Sequence, residues 1–507
     1  MHQESTPSFI TKLPLSISPR EERILLVRLD AARQVYNACL GESLKRLMIM
    51  RESKQFKQAC KQKKGKTRRS AFRDASRRYK FSEYALHTYA KQFNHSWLGD
   101  HLDSQSIQKI ATRAFKAVEQ YAFGKRGKPR FKGKNQFDSV EGKSNKTGIR
   151  WRDDHVVWLG LKFRALIDKN DPVIMYGLKS RVKYVRIVRR KLKGRNRFYA
   201  QLICEGLPYQ KPKNKIGSGP MGIDIGPSTI AVVSETTVRL IPFADEVEDY
   251  QPEIRRLQRK LDRQRRANNP DNYNDDGTVK KGARRWKKSN RQIKTQTKIS
   301  EIKRKQAAAR KSAHGRLVNE ILSFGDEIKI EKLSYRTFQR QYGKSVERRA
   351  PGMFVELLKR KAVSAGVLVH EFPTSDTRFS QLCHGCNTYK KKPLSRRWHR
   401  CKCGIVAQRD VYSAFLAMCL EPSTNKLNAG YVEEAWPSVD ARMRAALSSM
   451  QAANGKALPT SFGISQSQSG LSAKSIEILN EVRDVVPRFA PPGGLGRVRE
   501  SDRTPRL

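Results

Sequence analysis

Cys383-His384-Gly385-Cys386, followed after fourteen residues by Cys401-Lys402-Cys403-Gly404, constrains this chain more than any other local pattern. Two close cysteine pairs on basic, turn-rich loops are the sequence form of a four-thiolate zinc ribbon. Cys383, Cys386, Cys401 and Cys403 are therefore read as ligands of one structural Zn²⁺. Four thiolates fill a tetrahedral site, so the flanking His384 and His399 read as bystanders. The second pair is C-x-C, tighter than the common C-x-x-C. Cys39, Cys60, Cys204 and Cys419 lack such neighbours and read as core or incidental thiols. Eight cysteines in 507 residues are too few for a disulfide scaffold. A reducing, cytosolic setting is expected, since no secretory signal pattern opens the chain. No stretch reaches the roughly 18 uncharged apolar residues of a membrane helix, so no membrane partner is expected.

Three carboxylates stand in unusual places. In Met221-Gly222-Ile223-Asp224-Ile225-Gly226, alternation puts Ile223 and Ile225 on one face of a strand and Asp224 on the other. A buried carboxylate is costly, so Asp224 needs a metal, a base or solvent. In Asp326-Glu327-Ile328-Lys329-Ile330-Glu331 the two isoleucines share a face, and Glu331 ends the strand on the other. Asp410, in Gln408-Arg409-Asp410-Val411-Tyr412-Ser413-Ala414, opens an apolar helix running to about Leu420. Each has a plain alternative: a turn-adjacent Asp, a charged edge strand, or an acid favoured by the helix dipole. If a mixed α/β sheet brought them together, three carboxylates could hold two Mg²⁺ (or Mn²⁺) ions roughly 3.5–4 Å apart. Other motifs fail. Gly217-Ser218-Gly219-Pro220-Met221-Gly222 matches G-x-G-x-x-G but precedes its strand, against a dinucleotide site. No P-loop and no nucleophile elbow occurs.

The charge supplies a substrate class. With 103 Lys+Arg against 48 Asp+Glu the chain carries +55, which points to a large polyanion. A module neutralising roughly 6–10 phosphates needs far less. The surplus is concentrated: residues 44–80 carry a net +13, residues 253–312 a net +15, and residues 425–507 only +3. The 253–312 run reads as long charged helices interrupted at 268–277. Lacking matching acids, it reads as a phosphate-facing surface, with Arg255, Arg256, Arg284, Arg285, Lys287 and Lys288 as candidate contacts.

The remaining texture suggests several domains. A strand is expected near Phe9–Ser16. A helix follows, with Ser18 as N-cap, Pro19 at N1 and Glu21 at N3, and apolar Leu25, Leu26, Leu29, Val35 and Cys39 at helical spacing. Residues 18–127 read as a mainly helical lobe. Past Gly127 come the turn-rich segment Pro129-Arg130-Phe131-Lys132-Gly133-Lys134 and short β-type runs, suggesting a small barrel or sandwich. The strand at 9–16 is expected to complete it, making the helical lobe an insertion. The tail has Ser/Gln/Gly and Pro/Gly runs and is expected to be flexible, with short helices at 438–451 and 472–484.

The acids in GIDIG (Asp224), IKIEKL (Glu331) and QRDVYSAFLA (Asp410), with the cysteine quartet between the last two, resemble the split RuvC-like nuclease of the TnpB family. The compact type V CRISPR effectors resemble its descendants. The start TKLPLSISPREERILLVRLDAARQVYNACL, the segment GKPRFKGK and the basic helices after Asp224 belong to the same likeness, which spans about residues 8–424. It implies a multidomain α+β chain: a wedge barrel (1–17 and 128–213) around a helical recognition lobe (18–127), then an RNase H-like (RuvC) α/β nuclease. The nuclease would span 214–376 and 407–424, with a zinc ribbon at 377–406 binding target nucleic acid and a tail at 425–507. The implied activity is RNA-guided DNA cleavage with Asp224, Glu331 and Asp410 as catalytic metal ligands. A guide RNA and double- and single-stranded target DNA would be partners, with one chain per guide RNA and a prokaryotic cytoplasmic, nucleoid-associated location. Base pairing would carry most of the specificity, beside a short flanking motif. Arg130, Phe131 and Lys132 become candidates for touching guide or flanking duplex. Gln408 and Tyr412 depart from the family pattern D-R-D-x-N-A, and Tyr412 is expected to alter the surroundings of the acid site.

Three other readings compete. An RNA-guided binder that represses without cutting would favour loss of an acid, and all three are present. A zinc-ribbon RNA-binding protein leaves the acid-bearing strands unexplained. A cut-and-join transposase fits poorly with a ribbon between the second and third acids. Trimming at 425 is expected to be tolerated.

Overall fold

The computed structural model describes residues 6–452 apart from 283 and 394, together with residues 462–463. The fold is mixed α/β, in two compact units, one ending at Tyr209 and the other beginning at Gln210.

The first unit opens with strand β1 (Ser8–Pro14), then α1 (Pro19–Glu52). The capping box is present: the Ser18 hydroxyl accepts from the Glu21 N–H at 3.3 Å, and the Glu21 carboxylate accepts from the Ser18 N–H at 2.7 Å. Helices α2 (Lys54–Lys61), α3 (Lys66–Arg78), α4 (Glu83–Ala90) and α5 (Ser104–Ala122) follow. Leu25, Leu29, Ala32, Val35 and Cys39 of α1 share one core with Ile107, Ile110, Ala111, Ala114 and Val118 of α5, both sets at helical spacing. Next come β2 (Ser139–Glu141), β3 (Arg150–Arg152), β4 (His155–Trp158), β5 (Leu161–Arg164), α6 (Pro172–Lys179), β6 (Val182–Leu192) and β7 (Arg195–Glu205). The first strand pairs antiparallel with the last, Leu13 opposite Ala200, so the helices interrupt one sheet of order β1-β7-β6-β2. In place of a closed barrel the described strands make this sheet and a β3-β4-β5 meander, joined at a bridge between Leu15 and Ala165.

The second unit is built on strands β8 (Pro220–Ile225), β9 (Thr229–Ser234), β10 (Val238–Pro242), β11 (Glu327–Glu331) and β12 (Leu368–Phe372), in the order β10-β9-β8-β11-β12. The first three form an antiparallel meander; β8, β11 and β12 run parallel. Helices α7 (Gln251–Ala267) and α8 (Asn290–Leu322) separate β10 from β11, and α9 (Tyr335–Arg349) and α10 (Pro351–Ser364) separate β11 from β12. Met221, Ile223 and Ile225 pack with Ile328 and Ile330, Leu317 and Ile321 of α8, and Phe354 and Leu358 of α10. The opposite sheet face meets α12 (Arg409–Met418), reached through a one-turn α11 (Thr374–Thr377) and four short strands. Those strands are β13 (Leu382–Cys383) paired with β14 (Thr388–Tyr389), and β15 (Trp398–Arg400) paired with β16 (Val406–Gln408). With both faces covered, β9 is buried at all six positions.

Gly222 sets the approach of α12 to the sheet. A Cβ there would overlap the Ala414 carbonyl oxygen and the Met418 amide nitrogen, so the helix lies directly on the strand backbone.

Past the hairpin of β17 (Leu420–Glu421) and β18 (Lys426–Leu427), residues 429–452 form α13, which contains the short helix expected at 438–451 and replaces flexible chain with helix from 429 onward. Val432, Val439, Met443 and Leu447 recur on one face and are buried with Val411, Phe415 and Met418 of α12. An apolar stripe of that width takes the helix out of solvent. Phe462 joins the same core, and Gly463 O accepts from Trp398 Nε1 at 3.1 Å. The helix expected at 472–484 lies outside the described residues.

Candidate functional site

Asp224 and Glu331 meet at the carboxyl ends of adjacent parallel strands. Ile223 is the register partner of Ile330, so the next residue on each strand is one of these acids. Both project to the α12 face, opposite the buried isoleucines. There Lys329, on the same face as Glu331, donates from Nζ to the Met418 carbonyl at the end of α12 at 2.9 Å. Asp410, in the first turn of α12, accepts from Thr229 Oγ1 at 3.2 Å, and Thr229 begins the strand beside β8. Three segments far apart in sequence thus deliver one acid each to one place.

The electrostatics couple Asp224 to the other two acids. Burial, then the charges of Asp410 and Glu331, raise the Asp224 carboxyl well above the ordinary range, against the pull of Arg409. Burial pushes Glu331 up to about 7. Asp410 is raised by burial, and opposed first by Arg397, then by the Thr229 hydrogen bond and Arg409. All three keep partly accessible side chains. Carboxylates that burial discourages from ionising, and in Asp224 neighbouring charge as well, gain most when a divalent cation arrives, and hard oxygen donors suit Mg²⁺ or Mn²⁺. The trio is open: among the described residues no set of three carboxylates brings its oxygens within 4.8 Å of one another.

Arg397 and Arg409 went unnoticed in the sequence. Arg397 precedes β15 and Arg409 precedes Asp410; both are half-buried, and Arg409 donates to the Pro393 carbonyl at 3.0 Å. Nothing distinguishes them among 103 basic residues until the fold brings their charge to bear on the acids.

Gln408 and Tyr412 have separate tasks. Gln408 is fully buried as the N-cap of α12, its Oε1 accepting from the Val411 N–H at 2.8 Å. It caps the helix without adding charge beside Asp410. Tyr412 lies two residues beyond Asp410, about 200° round the helix. It turns away from the acids, its hydroxyl accepting from the His384 N–H at 2.9 Å and sharing a 2.8 Å hydrogen bond with His384 Nδ1. The residue expected to perturb the acid site instead ties the cysteine loop to α12.

The four cysteine sulfurs lie within 4.8 Å of one another, with Cys383–Cys403 and Cys386–Cys401 at 3.4 Å. A tetrahedral Zn–S bond of about 2.3 Å needs sulfurs of about that spacing, so the quartet fits the metal. Burial pushes the Cys383 thiol up to about 12, while a backbone hydrogen bond from Cys403 leads the groups that draw Cys401 down to about 6. His384 and His399 stay outside the quartet: both rings pack against Tyr412, at 5.7 and 4.3 Å between centroids.

Among the basic candidates, Lys132 is held by a two-way bond to α1: its N–H donates to Asn37 Oδ1 at 2.8 Å and its carbonyl accepts from Asn37 Nδ2 at 2.9 Å. Arg130 and Lys132 line a cavity of about 640 Å³ with Lys109, Arg113, Lys116 and Arg186. Phe131 is 58% exposed. Arg255 and Arg256 project into solvent from α7, and Arg285, Lys287 and Lys288 from the loop before α8, where Arg284 is half-buried. That loop is ordered by Asn269, bonded to the Lys287 backbone on both sides, and by the Arg265 guanidinium 3.8 Å over Trp286.

Residues 352–416 match the family model described as "Cas12f1-like, TNB domain". The match takes in the cysteine quartet and Asp410. No curated protein matches the chain. Among solved structures, the "Cas12f1-sgRNA-target DNA complex" is similar at 11% identity and a TM-score of 0.40, covering 81% of this chain and 98% of that one. The "CRISPR-Cas12f Ternary Complex" is similar at 12% identity and a TM-score of 0.26, covering 81% and 83%.

Proposed function

We propose that this chain is an RNA-guided DNA endonuclease whose phosphodiester hydrolysis is centred on Asp224, Glu331 and Asp410. The observation that carries the reading is the convergence of those acids at the ends of β8 and β11 and the start of α12, with burial raising all three carboxyls and the charges of Asp410 and Glu331 raising Asp224 further. The strand order, three antiparallel strands continued by two parallel ones, supports an RNase H-like, RuvC-type nuclease. The family match at 352–416 and the net +55 support a nucleic-acid substrate met through a guide RNA.

Two Mg²⁺ ions on these carboxylates would activate a water and stabilise the leaving 3′-oxygen of a phosphodiester. Asp224, Glu331 and Asp410 provide hard donors already stripped of much of their water. Arg397 and Arg409 offset negative charge that the acids and a scissile phosphate bring together. Thr229 fixes one oxygen of Asp410. The cysteine quartet holds zinc as a structural knuckle that target nucleic acid lies against. In the first unit the helical region acts as recognition lobe and the surrounding strands as wedge. Their basic cavity, with Arg130 and Lys132, meets phosphates of guide or flanking duplex; Arg255, Arg256 and the 284–288 run meet the guide–target heteroduplex.

The test is cleavage of a guide-matched duplex in Mg²⁺. Asp224→Ala should abolish cutting and leave guide-dependent DNA binding intact. Retained cutting removes the site assignment. A parent chain that binds through its guide but never cuts would turn the reading into guided repression.

A further inference from the structure

Phe462 and Gly463 belong to the near-neutral C-terminal region, far in sequence from the acid-bearing strands. Phe462 is 1% exposed, in one core with Val411, Phe415 and Met418 of α12 and with Val439 and Met443 of α13. Next to that anchored ring, Gly463 lies against the entry to β15. Its carbonyl accepts from Trp398 Nε1 at 3.1 Å. Its backbone runs so near Arg397 that a Cβ on residue 463 would stand 2.6 Å from Arg397 Cβ and 3.4 Å from Cγ. With φ at +69°, a side chain there would be strained as well as crowded. Gly463 thus walls the aliphatic stem of Arg397.

The same two residues of β15 and its entry hold the start of α12. The Arg397 carbonyl accepts from the Arg409 N–H at 2.8 Å, and Trp398 is the register partner of Gln408, the N-cap of α12. Asp410 follows at once. Residues 397–398 therefore bridge the C-terminal region to the segment that delivers the third acid. Arg397 also leads the charges that oppose the rise of the Asp410 carboxyl.

We propose that Phe462 and Gly463 are positioning residues of the acid site: they clasp residues 397–398 and so fix Arg397 against the start of α12, where Asp410 stands. The proposal rests on the reading of the acids as a nuclease centre. It makes the C-terminal region a working part of that centre, although its own composition carries none of the chemistry. A clasp differs from plain packing in what it acts through. Packing would add to stability and leave the chemistry of the folded chain alone. A clasp works by way of Arg397, so the loss of both costs little more than the loss of Arg397 alone.

The experiment uses the full-length chain with its guide. The variants are Gly463→Ala, which sets a methyl group against Arg397, Trp398→Phe, which removes the hydrogen bond to residue 463, Arg397→Met, and the double Gly463→Ala/Arg397→Met. Single-turnover cleavage of a guide-matched duplex in Mg²⁺ and guide-dependent binding are measured well below the melting temperature. The rise in melting temperature caused by Mg²⁺ is measured without nucleic acid. Gly463→Ala should cut about tenfold to a hundredfold more slowly with guide-dependent binding unchanged, and Trp398→Phe should slow cutting in the same sense by less. The double should cut no more slowly than Arg397→Met. The Mg²⁺ response should change in Gly463→Ala in the same sense as in Arg397→Met, and no further in the double. Losses that multiply in the double overturn the clasp. So does a Gly463→Ala chain that melts lower yet cuts at the parent rate with an unaltered Mg²⁺ response. If Gly463→Ala does not fold, Trp398→Phe with Arg397→Met completes the same cycle. A parent that binds through its guide and never cuts defeats the nuclease reading instead, and the Mg²⁺ response then decides the clasp.

Discussion

Glu331 holds its proton up to about pH 7 because the fold takes it out of water, and this has a measurable consequence. Its ordinary value is about 4.3, so the metal-free native chain binds a proton there that the unfolded chain releases. Stability from this source is fully present below about pH 4.3 and is lost as pH rises through about 7. Asp224 and Asp410, also raised, act in the same direction. The metal-free melting temperature should therefore fall from mildly acidic to neutral pH, and saturating Mg²⁺ at pH 7.5 should reverse much of the fall. A profile indifferent to Mg²⁺ would count against the trio as a cation site. At the same scale, Tyr412→Phe removes the hydroxyl that bonds both the His384 N–H and its ring Nδ1. It should cost about 1–3 kcal/mol and loosen zinc before it slows DNA cleavage. Equal zinc retention with slowed cleavage would return Tyr412 to the acid site.

At the scale of elements, α12 is the piece on which both candidate centres depend. One face carries Asp410 toward β8 and β11, the other carries Tyr412 toward the cysteine loop, and Gly222 lets the helix lie on the sheet. Gly222→Ala forces a methyl group into the Ala414 carbonyl. Overpacking of that kind costs about 1–3 kcal/mol, and the shift of Asp410 should reduce cleavage far more than it reduces guide binding. Unchanged cleavage would show that the close approach is not needed. Cys383→Ser should lower zinc content and destabilise the second unit, whose α12 takes its Tyr412 contacts from that loop. Unchanged metal content would count against the quartet. The capping box of α1 and the alternation in β8 and β11 could be read from neighbours in the chain because they are local. The strands of the first unit could not be assigned to one sheet or two, because closure depends on pairing between distant segments.

At the scale of the whole molecule, the surplus charge and the C-terminal region lead to different expectations. Replacing Arg255, Arg256, Arg284, Arg285, Lys287 and Lys288 by glutamine should flatten the dependence of log K on log salt by about 1 for each phosphate no longer neutralised. An unaltered slope would place the polyanion elsewhere. The near-neutral composition of residues 425–507 suggested a dispensable tail. In the structure, Val432, Val439, Met443 and Leu447 of α13 are core residues, and Trp436 packs 5.0 Å from His384 and 5.1 Å from Phe415. Buried side chains of this size are each worth about 1.5–3 kcal/mol. A chain ending at residue 428 should therefore be insoluble or melt many degrees lower; full stability would show the packing to be incidental.

What the amino-acid order determined by itself was chemistry carried by near neighbours. That covers the cysteine spacing, the helix cap at Ser18, the strand alternation that set Asp224 and Glu331 opposite their isoleucines, and a charge that demands a polyanion. These follow from backbone periodicity, ligand geometry and Coulomb repulsion over a few residues. The tertiary structure alone decided which acids meet, which arginines face them, and that Tyr412 belongs to the cysteine loop. It also decided that a stretch of low charge completes the core, and that of the three lysines at 390–392 one, Lys392, is buried. Each of these depends on burial and on distances between segments tens to hundreds of residues apart. Those quantities arise only when the sheet, α12 and α13 have packed together.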